Sequence, residues 1–217
     1  MTARALIVIT AKAPVPGRVK TRLLPALAPD QTAMLHTAFL IDTLDLARAV
    51  GEADVMILCP KGDASALAAI AADPGIEVFE QVGEGLPAAL DDALGRFTTD
   101  GRRVVALDSD SPHLSAIDLR AALRALAHAD LVVGPTADGG YYLVGARAGH
   151  PGLFLATGVG TGRALTQLRD YADERGLSVW TGPEEFDVDA PGDLARLADL
   201  LRHDPSRAPR TTALLSQ

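Results

Sequence analysis

Positive charge is concentrated in one short stretch of an acidic chain. Among 217 residues, 28 acidic side chains outnumber 20 basic ones for a net charge of −8, yet Lys12-Ala13-Pro14-Val15-Pro16-Gly17-Arg18-Val19-Lys20-Thr21-Arg22-Leu23 holds two of the three lysines and two of the 17 arginines. Lysine offers a compact point charge and arginine a planar fork of donors, both suited to phosphate oxygens. Two prolines stiffen the segment, and Gly17 allows the backbone to approach a ligand closely. Lys12, Pro16, Gly17, Arg18, Lys20, Thr21 and Arg22 are therefore candidate nucleotide-phosphate ligands, against the plainer reading of a solvated basic loop. The spacing is not that of a Walker A loop, which needs four residues between its first glycine and Gly-Lys-Ser/Thr.

Three further segments carry chemistry. In Asp108-Ser109-Asp110-Ser111-Pro112, residues two apart on an extended backbone point the same way, so Asp108 and Asp110 can present paired carboxylates to Mg2+ or Mn2+. A lone Asp-x-Asp is also a common cap or turn. In Phe186-Asp187-Val188-Asp189-Ala190-Pro191, Asp189 either caps the helix that Pro191 opens or completes that metal site. In Gly134-Pro135-Thr136-Ala137-Asp138-Gly139-Gly140-Tyr141-Tyr142, the paired glycines permit close approach and Asp138 can accept from hydroxyls, which makes Asp138, Gly139, Gly140, Tyr141 and Tyr142 the candidate acceptor-binding group; a plain Asp-Gly turn is the alternative. Gly83-Glu84-Gly85-Leu86-Pro87-Ala88 matches a relaxed dinucleotide fingerprint, but such fingerprints belong to the first strand-helix turn. Gly85 and Leu86 are read instead as part of a nucleotide-base wall. His113, beside the paired carboxylates, has no Ser or Cys partner at recognisable spacing, and Cys59 ends an apolar run and reads as core.

These segments need a scaffold that brings them to one edge. Apolar β-prone runs at Ala5 to Ala11, Val55 to Cys59, Ile76 to Phe79, Val104 to Leu107 and Leu131 to Val133 predict strands buried on both faces. Helical stripes lie between most of them: Met34, Ala38, Ile41 and Leu44 with Asp30 as N-cap; Leu86, Leu90, Ala93 and Phe97; and Leu119, Leu123 and Leu126 beginning at Ser115. Alternating strands and helices imply a three-layer α/β/α sandwich with a mostly parallel sheet, in which ligands gather beyond the carboxyl ends of the strands. After Val133, Tyr141 to Val144 is expected to add an antiparallel strand. Gly160 to Arg175 and Pro191 to Arg202 are expected as helices around a short strand, Leu177 to Thr181. Residues 1–202 read as one domain and 203–217 as a loosely attached tail.

Bulk properties limit the partners. The acidic balance disfavours nucleic acid. The seven-residue apolar run at the N-terminus is too short for a membrane span or a signal core, and a single cysteine fits a reducing compartment, so a cytoplasmic protein with no membrane partner is expected. A homodimer is left open.

Across residues 5 to 200, these four motifs in order resemble the radical-SAM/selenodomain-associated transferase family, a group with the GT-A, nucleotide-diphospho-sugar transferase fold. The motifs extend through Leu143-Val144-Gly145 after the tyrosines and Gly192-Asp193-Leu194 after Pro191. More distantly, Lys20-Thr21-Arg22-Leu23, Gly85-Leu86 and the Asp-Val-Asp segment are similar to the guanylyltransferases of deazaflavin-cofactor assembly. The resemblance implies nucleotide phosphates on Lys20 and Arg22, base and ribose near Gly85 and Leu86, and metal on Asp108 or Asp110 with Asp189. At Gly158-Val159-Gly160-Thr161-Gly162 the chain departs from the family's Trp-Ser-Thr-like segment, so the acceptor is not specified. The expected activity is metal-dependent nucleotidyl transfer from an NTP to a small phosphorylated acceptor, with Lys20, Arg22 and Asp110 catalytic. Glycosyl transfer from a nucleotide sugar is the alternative, and non-catalytic nucleotide binding a second.

Overall fold

The computed structural model describes residues 4–216. Seven strands, β1 (Ala5–Thr10), β2 (Ala53–Cys59), β3 (Glu77–Glu80), β4 (Val104–Asp108), β5 (Leu131–Pro135), β6 (Tyr141–Ala146) and β7 (Val179–Thr181), form one sheet in the order β3-β2-β1-β4-β6-β5-β7. Every pairing is parallel except those of β6, which runs antiparallel to both β4 and β5. Among the described residues eight α-helices accompany it: α1 (Pro29–Ala49), α2 (Ala64–Ala71), α3 (Gly85–Phe97), α4 (Ala116–Ala125), α5 (Leu153–Ala156), α6 (Ala164–Glu174), α7 (Pro191–His203) and α8 (Pro209–Leu215). The sandwich expected from the alternating pattern is the observed fold, including the antiparallel Tyr141 strand.

The apolar runs behave as their composition dictates. Strands β1 and β4 are buried on both sides, and their alternate residues feed two cores: Ile7, Ile9, Val105 and Leu107 on one face, Leu6, Val8, Val104 and Ala106 on the other. Register carries this order to the functional edge, because Thr10 pairs with Asp108, so neighbouring parallel strands end together and release their following loops side by side. Since β6 runs backwards, its first residue Tyr141 lies opposite Pro135 at the end of β5, and the turn between them opens at the same edge.

A third core cluster lies beneath the cationic loop. Leu23, Leu35, Phe39, Phe186, Val188, Leu197 and Leu201 are buried together, each side chain of this size contributing about 1.5–3 kcal/mol on full burial. Leu23 thus anchors the loop, and Val188 anchors the segment that carries Asp187 and Asp189.

Several expectations need correction. Asp30 lies inside the first turn of α1, with Ala28 at the N-cap and the Gln31 side chain accepting from the Ala28 N–H at 2.8 Å. The buried face of α1 centres on Leu35, Phe39, Leu40 and Leu44, while Met34 is exposed, because this helix packs on two cores and shows no single stripe. Residues 160–163 are a turn, and α6 begins at Ala164. The C-terminal segment is not loosely attached: Asp42, buried on α1, accepts from the Arg210 and Thr211 N–H groups at 2.9 and 2.8 Å and from the Thr211 hydroxyl at 2.7 Å, fixing the start of α8. Sequence reading missed this anchor because the apolar partners, Leu214 and Leu215, are few. Among the described residues no helix is long and apolar enough to cross a membrane.

Candidate functional site

The cationic loop leaves β1 at Thr10 and returns through a 3-10 turn, Thr21–Leu23. Lys20 precedes that turn in the left-handed region, φ 48° and ψ 40°, a conformation costing roughly 1–2 kcal/mol for a residue with a Cβ. The cost is offset at the other end of the side chain, which is 3% exposed. Its ammonium donates to the Val188 carbonyl at 2.7 Å, pairs with Asp110 Oδ1 at 2.8 Å, reaches to 3.8 Å from Asp189 Oδ1 and lies 5.5 Å from the centroid of Phe39. Charge-assisted bonds in a buried setting are among the stronger polar contacts a protein makes. The same twist sends Arg22 outward, 76% exposed, where Nη1 bonds Asp189 Oδ2 at 2.9 Å.

The carboxylates arrive from two places. Asp108 ends β4 and accepts the Asp110 N–H at 2.9 Å, so the Asp-x-Asp segment is a tight turn whose first side chain is tied to its own backbone. Asp187 and Asp189 come from the strap between β7 and α7, held against the turn by Val188 N–H donating to the Asp110 carbonyl at 3.0 Å. Two roles were open for Asp189, and the cap belongs to another residue: Asp193 accepts from the Ala190 N–H at 2.7 Å and the Asp189 N–H at 3.2 Å, leaving the Asp189 carboxylate to face the cations. Burial, reinforced by Asp110, pushes the Asp108 carboxyl up to about 8. Burial and then Asp189 raise Asp187 in the same direction. Carboxyls are crowded here beyond what Lys20 and Arg22 balance, and burial answers by favouring the neutral forms of Asp108 and Asp187.

Two cavities flank the carboxylates. The first, 490 Å³, is lined by Lys12, Arg18, Lys20, Thr21 and Arg22 on one side and by Pro60, Gln81, Gly85 and Leu86 on the other. The second, 390 Å³, is lined by Thr136, Asp138, Gly140, Tyr141, Tyr142, Thr161 and Asp187. Both include Thr10, Arg22, Leu86, Asp108, Asp110 and Asp189, so the charged residues form a shared wall. Asp138 accepts from the Thr136 hydroxyl at 2.5 Å and the Gly140 N–H at 3.0 Å, and the Thr136 bond, its largest influence, holds the carboxyl below its ordinary range.

The structure sorts the predicted residues. Lys12, Arg18, Lys20, Thr21, Arg22, Gly85 and Leu86 share the first cavity, whereas Pro16 and Gly17 do not line it. Gly17 instead makes a surface turn at φ 74° with open space around it. Asp138, Gly140, Tyr141 and Tyr142 share the second cavity; Gly139 stands behind it, packed so that a Cβ would lie 2.2 Å from the Gly162 carbonyl oxygen. Asp108, Asp110 and Asp189 meet at the wall, yet no group of three or more His, Cys, Asp or Glu side chains forms a preassembled metal cage among the described residues. Asp110 and Asp189 point instead at Lys20 and Arg22. Gly83 belongs to packing, since a Cβ there would come within 2.8 Å of Ala88 Cβ.

Other residues were missed. Thr10 and Gln81 directly follow or end strands, and the rule that ligands gather at strand ends could have found both. His36 had no such signal. It is buried on α1 with Nε2 3.0 Å from the Lys12 carbonyl and Nδ1 4.0 Å from Asp110 Oδ1; burial, its largest influence, lowers its pKa, so the neutral ring donates to Lys12 and braces the loop.

Residues 43–161 match the family described as Uncharacterized protein conserved in bacteria (DUF2064). The chain belongs to this family. The DUF2064 protein is also 35% identical to a phosphoenolpyruvate guanylyltransferase from Geodermatophilus obscurus, over 90% of its own length and 87% of the relative's. It is 32% identical to a 3-phospho-D-glycerate guanylyltransferase from Phenylobacterium zucineum, over 82% and 84%. Among solved structures it resembles a protein assigned as a nucleotide-diphospho-sugar transferase from Desulfovibrio desulfuricans G20, with TM-score 0.89, 32% identity and coverage of 98% and 94%. The manganese complex of Rv0371c from Mycobacterium tuberculosis matches at TM-score 0.55 and 25% identity, covering 92% of the DUF2064 protein and all of that chain. By their names, the two relatives and the Desulfovibrio protein are transferases; this protein is similar to all three in sequence and to the last in fold.

Proposed function

We propose that this DUF2064 protein transfers a nucleotidyl group from an NTP to a small phosphorylated acid. The observation that carries the reading is the shared wall: two cavities of substrate size, one lined by four cations and one by hydroxyls and the carboxylates of Asp138 and Asp187, meet at Arg22, Asp108, Asp110 and Asp189, with Lys20 on the first cavity's side. The first would hold the triphosphate along Lys12, Arg18, Lys20 and Arg22, with the base against Gln81, Gly85 and Leu86. The second would hold the acceptor. An acceptor phosphate oxygen attacks the α-phosphorus, the bond from that phosphorus to the bridging oxygen breaks, and diphosphate leaves. A phosphate monoester is largely ionised at neutral pH, its second pKa being about 6, so the reaction needs no general base. Lys20 and Arg22 lie where charge builds on the phosphorus oxygens and the leaving group.

The donor set fits a hard divalent cation. Every candidate ligand is a carboxylate oxygen; burial and then Asp110 push Asp108 up, and burial and then Asp189 raise Asp187, a crowding that added positive charge would relieve. Mg2+ characteristically binds through one or two carboxylates together with substrate phosphates, which suits a wall with no complete protein cage. Asp108 and Asp110, joined by Asp189 once Arg22 turns to phosphate, would hold Mg2+ or Mn2+; such an ion supplies charge neutralisation at the phosphates. The manganese complex of the Mycobacterium neighbour and the guanylyltransferase names of the relatives support the reading. With its single cysteine free, the protein suits the cytoplasm.

The test is incubation with Mg2+ or Mn2+, each NTP, and phosphoenolpyruvate or 3-phospho-D-glycerate, following diphosphate and the acceptor's mass. Diphosphate with an acceptor heavier by one nucleotidyl group supports the proposal. Nucleoside diphosphate released from nucleotide sugars, with no NTP turnover, replaces it with glycosyl transfer.

A further inference from the structure

We infer that His113 is a positioning residue that sets the distance between the two halves of the carboxylate wall. Asp108 and Asp110 sit on the turn after β4, whereas Asp187 and Asp189 sit on the strap before α7, far away in sequence. His113 ends the first segment and touches the second. It is fully buried, with 0% exposure. Its Nε2–H donates to Glu185 Oε2 at 3.3 Å, and its ring stacks on Phe186 with centroids 4.0 Å apart and planes 25° from parallel. The Phe186 ring also carries the Arg196 guanidinium at 3.9 Å, and the His113 carbonyl accepts from Arg207 Nη1 at 3.3 Å. Glu185 in turn enters the sheet edge, its N–H bonded to the Pro135 carbonyl at 3.1 Å.

The consequence follows from leverage. Asp187 lies next to Phe186, and the Val188 N–H closes on Asp110, so a shift of Glu185 and Phe186 displaces both strap carboxylates relative to Asp108 and Asp110. A group that orients metal-facing ligands without touching the reacting atoms characteristically contributes about 10- to 100-fold to metal affinity or activity. His113, Glu185 and Phe186 do not line the cation-lined cavity, whereas Asp189 does and the Val188 carbonyl holds Lys20, so nucleotide KM should change less than kcat.

Two variants separate the parts of the clamp. His113→Phe keeps a ring on Phe186 and removes the donor; His113→Gln restores an N–H donor without the ring. Hydrogen exchange of the Glu185 and Val188 amides is read together with Mn2+ affinity by electron paramagnetic resonance and the kinetics of diphosphate release. In folded His113→Phe, both amides should exchange faster, Mn2+ affinity and kcat should fall about ten-fold, nucleotide KM should rise by less than kcat falls, and His113→Gln should recover part of the loss. Wild-type exchange and Mn2+ affinity in His113→Phe, or a Gln variant no better than Phe, would overturn the inference. Its catalytic readout rests on the nucleotidyl-transfer reading, and the two fail separately: wild-type protein that neither binds Mn2+ nor releases diphosphate removes that reading, while unchanged strap exchange in a folded Phe variant removes the clamp.

Discussion

At the residue scale, Lys20 combines a structural tie with a proposed phosphate contact, and sequence alone could only half reveal this. Its charge and its place after the first strand marked it as a phosphate ligand; its burial, its left-handed backbone and its grip on Asp110 and Val188 came from long-range packing that no local pattern encodes. Lys20→Met should reduce diphosphate release about 10²-fold or more, the usual loss when one preorganised charge donor is removed, while circular dichroism remains native. A single-turnover assay checks this. Asp110→Asn should reduce turnover comparably and leave nucleotide binding intact, with calorimetric titration of the nucleotide as control. His36 illustrates the opposite limit: a lone histidine on a helix gives no signal until its neighbour, the Lys12 carbonyl, is known.

At the element scale, the strands and most helices were legible because continuous apolar runs and regular stripes survive in any context, while the short α2, the start of α6 and the C-terminal α8 were not. These depend on tertiary partners. Asp42 is the clearest case: Asp42→Ala leaves the Arg210 and Thr211 N–H groups without their acceptor and should cost about 1–3 kcal/mol, read as a lower urea midpoint at unchanged slope. The edge strand β7 has its own acid-sensitive tie. The Ser178 hydroxyl and N–H, followed by Arg147, hold the Asp130 carboxyl well below its ordinary range. A depressed folded-state pKa contributes stability that is present above the unfolded value, near 3.9, and lost as pH falls below it. Asp130→Asn should therefore be less stable than wild type at pH 7, with the gap narrowing as acid is added below about pH 4, measured by thermal melts across that range.

At the scale of the whole molecule, four segments distant in sequence meet because parallel strands end in register and one antiparallel strand folds its turn back to the same edge. The strand-end rule named all four segments, but it gave no sign that they would divide into two chambers. That division depends on the strap, whose path is set by Phe186 and Val188 in the third core. Gly139→Ala should disturb the second chamber alone, since a Cβ there collides with Gly162 and the backbone stands at φ +87°; the acceptor KM should rise with little change for the nucleotide. The common wall also has a pharmacological meaning. A single compound that joins a nucleotide to a phosphorylated acid through one linkage would occupy both chambers at once. The tether makes its second contact intramolecular, which can strengthen binding by about 10²- to 10⁴-fold over either half alone. If the proposed transfer holds, the shared aspartate partition makes a two-headed inhibitor the natural ligand design, and the product of that transfer, which would have the same form, is expected to inhibit its own synthesis.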